Sequence, residues 1–209
     1  MSRVHHRIQN TLIHIVLIAI FCITVANSGA NNLHVNDGTS IADIIGGDVF
    51  FEIIDPEELE YTYRIRPAKD FGAPFNSSFS AQGVRLVPVQ PIYGCTKPTN
   101  TEELEGSVAL VERGTCSFKS KTLIVERAGA IAVIITDESV ESEEYFIEMI
   151  DDESLQETYI PAGFLLGKNG YMIRRTLKKL HRDFALINIP VNLTFTPVHK
   201  INQPPWLEW

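Results

Sequence analysis

VALVERGTCSFKSKTLIVERAGAIAVIITD, residues 108–137, holds two apolar runs separated by a charged turn and a proline-free segment. It opens on the apolar run Val108-Ala109-Leu110-Val111, and a charged turn follows, Glu112-Arg113-Gly114-Thr115, before Cys116. Residues 118–128 contain no proline and gather Leu123, Ile124, Val125 and Ala128 toward one side, which predicts a helix. Ser117 is placed to cap it, since its hydroxyl can accept a backbone N–H that lacks an intrahelical partner. Gly129 supplies the stop. Residues 131–135 are again apolar throughout. Runs without alternation suit strands covered on both faces. Strand, helix and strand joined by short turns predict a parallel pair with a right-handed crossover.

Outward from this unit the pattern stays that of one domain. Residues 50–53 and 61–66 read as strands, the second alternating as YTYRIR, with Asp55-Pro56-Glu57-Glu58 as the turn between them. Residues 72–82 are a polar loop. Residues 84–89 form another strand, which Pro88 assigns to an edge or bend. After the core unit, residues 160–166 read as a strand. Residues 170–180 read as a helix that buries Ile173, Leu177 and Leu180 and wets Arg174, Arg175, Lys178 and Lys179. Residues 185–189 and 191–195 are closing strands split by Pro190. The expected organisation is a leader over 1–30, a loose lead-in over 31–48, one domain over 49–200 and a tail over 201–209.

The leader follows from the order basic (Arg3, Arg7), apolar (12–25), then small (Ala26, Ser28, Gly29, Ala30), which is that of a secretory signal peptide cut after Ala26 or Ala30. Its apolar run is shorter than the roughly 20 residues needed to span a bilayer. No later stretch is long enough, so membrane insertion is not expected after cleavage. The whole chain carries 18 basic and 26 acidic residues, a net charge of −8. Loss of residues 1–30 removes two arginines and no acid, leaving a charge near −10. That excludes nucleic acid as a partner, because its binding needs basic surface. It also opposes adhesion to anionic lipid.

An exported chain lacking Cys22 keeps two cysteines, Cys95 and Cys116, an even pair suited to an oxidising compartment. A bridge closes a loop of about twenty residues and stabilises by roughly 3 kcal/mol. The alternatives are a reactive thiol or half a metal site, for which the spacing is poor. Asn76-Ser77-Ser78 and Asn192-Leu193-Thr194 are N-glycosylation sequons in the right compartment for use. Trp206 and Trp209 match a C-mannosylation spacing or simply pack on the domain. Residues 137–157 hold ten acids and no base. Such a run reads as a solvated, mobile loop, docked in part by Tyr145, Phe146, Ile147, Met149 and Ile150, and alternatively as a cation or basic-partner site.

ALVERGTCSFKSK followed by ERAGAIAVIITD resembles the core of the protease-associated (PA) domain. Pro67-Ala68-Lys69-Asp70-Phe71-Gly72, the strand over 86–95 ending in Cys95, and Ile160-Pro161-Ala162 up to Gly170 resemble that family's flanking segments. The resemblance spans about 60–195. It implies a single α/β domain with α+β character, a curled mixed sheet or open barrel flanked by helices. It further implies a non-catalytic module that binds a protein or peptide partner and needs no cofactor or metal.

Residue chemistry agrees with that implication. Outside the leader only His34, His181 and His199 remain, none in a pattern with a nucleophile, and neither G-x-S-x-G nor H-E-x-x-H occurs. In PA-domain receptors, loops flanking the core contact ligand. By position this implies Arg113, Gly114 and Thr115 as the binding turn, with Arg113 holding a partner carboxylate. A helix N-terminus at Ser117 would favour the same anion, and Phe71 and the acidic run would flank it. The other reading has Arg113 pairing with an acid of its own chain. Two further functions stay open: a regulator of a protease or sorting pathway, and a hydrolase with a triad assembled in space.

Overall fold

A computed structural model describes residues 47–76, 78–137 and 147–206. The leader, most of the lead-in, Ser77, residues 138–146 with Tyr145 and Phe146, and Trp209 lie outside the described residues. Strands β1 (Val49–Asp55), β2 (Thr62–Pro67), β3 (Ala81–Pro88), β4 (Val108–Glu112), β5 (Ala132–Thr136), β6 (Ala162–Leu165) and β7 (Ala185–Ile189) close into a barrel in the order β1-β2-β6-β5-β4-β3-β7. Helices α1 (Thr101–Leu104), α2 (Phe118–Arg127) and α3 (Gly167–Lys179) accompany them. The fold class is α+β, as the resemblance implies.

The barrel is mixed. Strands β3, β4, β5 and β6 run parallel to one another, with Val108 opposite Ala132 and Val133 opposite Ala162. Strands β1, β2 and β7 are antiparallel to their neighbours. Because β7 pairs with both β1 and β3, the sheet is closed rather than open, and β3 is no edge strand. Pro88 is tolerated as the last residue of β3, where the missing N–H removes little from the ladder.

The unbroken apolar runs are explained by two cores. Val108, Leu110, Ala132 and Ile134 point into the barrel with Phe51, Tyr63 and Leu86. Their neighbours Ala109, Val111, Val133 and Ile135 belong to the second core, with Val125 and Ala128 of α2. Strands β4 and β5 thus alternate in space while being apolar on both sides. Ser117 accepts a hydrogen bond from Ser120 N at 3.0 Å, as the cap requires. At the other end Gly129, at φ +87°, donates to Glu126 O and Ala130 donates to Val125 O. That is a Schellman closure, and it turns the chain straight into β5.

Helix α3 starts at Gly167, three residues before the expected start, with Ile173 and Leu177 in the interior core. Gly170 lies so close to the Thr136 side chain that a Cβ there would collide with it. This close approach seats α3 at the carboxyl end of β5. The expected strand over 191–195 does not form. Val191 donates to Phe50 O, and the chain then turns at Asn192. Its alternating residues have no strand to join, since the barrel is already closed. The tail is tied down: Thr62 donates to Asn202 O, and Trp206 packs edge-on against Tyr61 and donates to Asn169 Oδ1 at 2.8 Å.

Candidate functional site

The predicted turn lies at the carboxyl ends of the parallel strands β4 and β5, where ligand crevices of parallel sheets form. Arg113 N donates to Thr136 O at 2.8 Å, which joins the turn to the end of β5. Gly114 at φ 103° and Thr115 at φ 69° then reverse the chain through left-handed backbone. For threonine this conformation costs on the order of 1–3 kcal/mol, so its surroundings hold it there.

Two devices do so. Cys95 and Cys116 are bridged, with their Cα atoms 5.8 Å apart. Beneath the bridge Lys121 of α2 is fully buried. Its ammonium donates to Gly114 O at 2.7 Å, to Tyr93 O at 2.5 Å and toward Cys95 Sγ at 3.4 Å. Three donors thus meet three acceptors from both sides of the cystine. Burial pushes this ammonium down to about 8, and the Glu112 carboxylate opposes that shift. The corner is fastened to the helix by a buried cation with no carboxylate directly on its hydrogen bonds.

Arg113 stands at the rim, 45% exposed, and its Nη1 donates to Asp137 Oδ2 at 3.1 Å. The own-chain pairing is therefore present, and the guanidinium face stays accessible beside it. Glu112 pairs with Arg174 of α3. Arg174 was expected on the wet face of that helix. It is instead largely buried, and its burial lowers its proton affinity against the opposing pull of Glu112 and Tyr93. Phe71, expected to flank the turn, is buried in the outer core and presents no contact surface.

The N-terminus of α2 does hold an anion, and it comes from the chain itself. Ser117 Oγ hydrogen bonds to the Asp152 carboxylate. That bond, with those from Ser154, holds Asp152 down to about 2. Two residues along, the buried Lys119 ammonium sits 2.9 Å from Asp151 Oδ1 and donates to Ser154 O at 2.9 Å. The hydrogen bond it donates to Asp151 raises its proton affinity, against a smaller opposing effect of burial. The second half of the acidic run, expected to be a mobile solvated loop, is thus strapped along α2. Met149 is buried, as expected of a docking residue, Ile147 is partly so, and Ile150 is exposed.

Lys119 and Lys121 escaped the sequence reading. The signal was present: two lysines in the first turns of a helix oppose its macrodipole. Such lysines need oxygen partners from elsewhere, and here they find the strap and the corner. Among the described residues no group of three or more His, Cys, Asp or Glu is placed to hold a metal ion. No described helix is long and apolar enough to cross a membrane.

A family model described as the PA domain matches residues 82–173. A PRADC1-like protein of Drosophila melanogaster is 60% identical over 169 residues, covering 80% of this chain and 85% of the fly protein. The ER degradation-enhancing alpha-mannosidase-like protein 3 of Xenopus laevis is 31% identical over 112 residues, covering 52% of this chain and 12% of that protein. Among solved structures, an aminopeptidase from Aneurinibacillus sp. strain AM-1 matches with a TM-score of 0.47 and 18% identity, over 69% of this chain and 30% of its own.

Proposed function

This chain belongs to the PA domain family, and on that footing we propose that it is an exported, N-glycosylated, non-catalytic module that binds a protein or peptide partner. The observation that carries the reading is the rigid corner. A cystine and a buried lysine fix a strained turn that does no visible work in the core, and Arg113 stands exposed on it. A preformed turn loses little entropy on binding, and its guanidinium can share a second carboxylate through a planar fork.

Both sequons support the exported, glycosylated part. Asn76 and Asn192 are exposed. Asn192 Oδ1 accepts from Thr194 N at 3.0 Å and Thr194 Oγ1 at 2.6 Å. Asn76 accepts from Ser78 N at 2.9 Å and from the Ser78 hydroxyl. Each turn brings the sequon hydroxyl onto the amide oxygen. Asn192 thus sits in a loop, which suits a glycan better than the strand expected there.

The test is to collect the full chain from culture medium, map its N-terminus, glycans and cysteine state by mass spectrometry, and measure partner binding for wild type and Arg113→Ala. The reading expects a cut after Ala26 or Ala30, sugar on Asn76 and Asn192, and at least about tenfold weaker binding by the variant. Retention in the cytosol with bare asparagines would refute export. Unchanged affinity in Arg113→Ala would remove the corner as the contact.

A further inference from the structure

Five large apolar side chains are exposed among the described residues, and three of them lie within ten positions of one another: Ile150 at 69%, Leu155 at 99% and Tyr159 at 77%. Scattered exposed leucines need no explanation. These are different because their backbone is fastened. Lys119 holds Asp151 and Ser154, Ser117 holds Asp152, Arg127 Nη2 donates to Gln156 Oε1, and Tyr159 N donates to Glu126 Oε1. The strap is therefore pinned from one end of α2 to the other. The acidic residues Asp151 and Asp152 make their own turns, each accepting from the N–H two positions on, and Glu153 directly after them takes φ 59°. Left-handed backbone at a glutamate is itself unfavourable. The chain thus spends hydrogen bonds and strain to display apolar groups to water.

Charge narrows what covers them. Residues 147–160 contain five acids and no base. Glu153 and Glu157 stand exposed beside Leu155. A second copy of the chain would bring the same acids to the same place across a two-fold axis, and like charges would repel. An anionic membrane surface is repelled as well. We propose that residues 150–159 are a docking strap for a protein segment that alternates apolar side chains with lysine or arginine. The apolar groups of that segment cover Leu155, Tyr159 and Ile150, and its cations face Glu153 and Glu157. This inference rests on the interaction-module reading and uses a surface separate from the Arg113 corner.

The experiment titrates the full chain against three labelled 14-residue peptides, one alternating leucine with lysine, one serine with lysine, one leucine with glutamate, and follows anisotropy. Leu155→Ser/Tyr159→Ser and Glu153→Gln/Glu157→Gln variants are run alongside, with melting curves to confirm the fold. The expected result is saturable binding of the leucine-lysine peptide, weakened about tenfold or more by the serine pair. The glutamine pair weakens it by a smaller factor, which shrinks as salt is raised. The serine-lysine and leucine-glutamate peptides bind at least about tenfold less tightly. Arg113→Ala leaves all of this unchanged. Equal binding of the serine-lysine peptide, unchanged affinity in the serine pair, or no saturation by any peptide would overturn the strap. So would self-association, or binding to neutral vesicles, that the serine pair abolishes. If Arg113→Ala weakens an identified partner while the strap variants do not, the module stands and the strap falls.

Discussion

Two stretches lie against α2, residues 108–112 with 132–136 and residues 147–160, and different forces hold them there. The first stretch supplies β4 and β5, whose outer faces meet Val125 and Ala128 in a dry apolar core. The second supplies the strap, whose attachment runs through Lys119, Ser117 and Arg127 with one buried methionine. Apolar burial is nearly indifferent to salt and pH, and charge-assisted hydrogen bonds are not. The same helix therefore carries a permanent wall on one side and an adjustable surface on the other. For a recognition module that division is useful, because the surface can change without the scaffold changing.

The comparison sharpens first where the wall is broken. Ile134 is fully buried in the barrel interior. Ile134→Ala should lower stability by about 2–5 kcal/mol, and urea unfolding followed by tryptophan fluorescence and by circular dichroism should shift together. Coincident transitions mean the wall sets the stability of everything built on it. Next comes the corner. Replacing Cys95 and Cys116 together by serine should cost about 3 kcal/mol from loop entropy, read as a lower urea midpoint. The strap's contacts to Lys119 should survive that change.

The third effect is a pH dependence. Lys121 sits at about 8 in the folded protein because of its burial, against about 10.4 for an unfolded lysine. A lowered lysine binds fewer protons folded than unfolded between those values, so its contribution to stability rises with pH across that window. The gain is up to roughly 3 kcal/mol. Tyr63 acts the other way: burial raises its phenol far above its ordinary range, so above pH 10 it erodes stability. Lys121→Met removes the first effect and keeps the second. Plotting wild type minus Lys121→Met from pH 7 to pH 10.5 should give a rising line. A flat line would mean that Lys121 titrates alike in both states.

Much of the wall was legible in the sequence. The apolar runs around 108–111 and 131–135, the cap at Ser117 and the stop at Gly129 are local signals, and local signals were enough. Closure of the barrel was not legible, because it depends on β7 finding both β1 and β3, two pairings far apart in sequence. The same closure explains why VNLTF, a fair strand by pattern, stays a loop. The strap was misread for a related reason. Ten acids without a base suggest free solvation, yet Lys119, which pairs with Asp151 and Glu157, lies roughly thirty residues upstream. At the site, the Arg113 turn was singled out by the family resemblance, and the cystine, which the structure contains, followed from the cysteine count. Lys121 was not, because a lysine in a helical run reads as solvent-facing until its mismatch with the helix dipole is considered.

If the strap is a layer separable from the barrel, the charge of Lys119 is what holds it there. Hydrogen exchange by mass spectrometry on wild type and Lys119→Met tests it most directly. Peptides covering 149–159 should lose protection by about tenfold or more, while those covering 108–112 and 132–136 exchange as in wild type. Protection lost in step across all three segments, or retained in all of them, would contradict it.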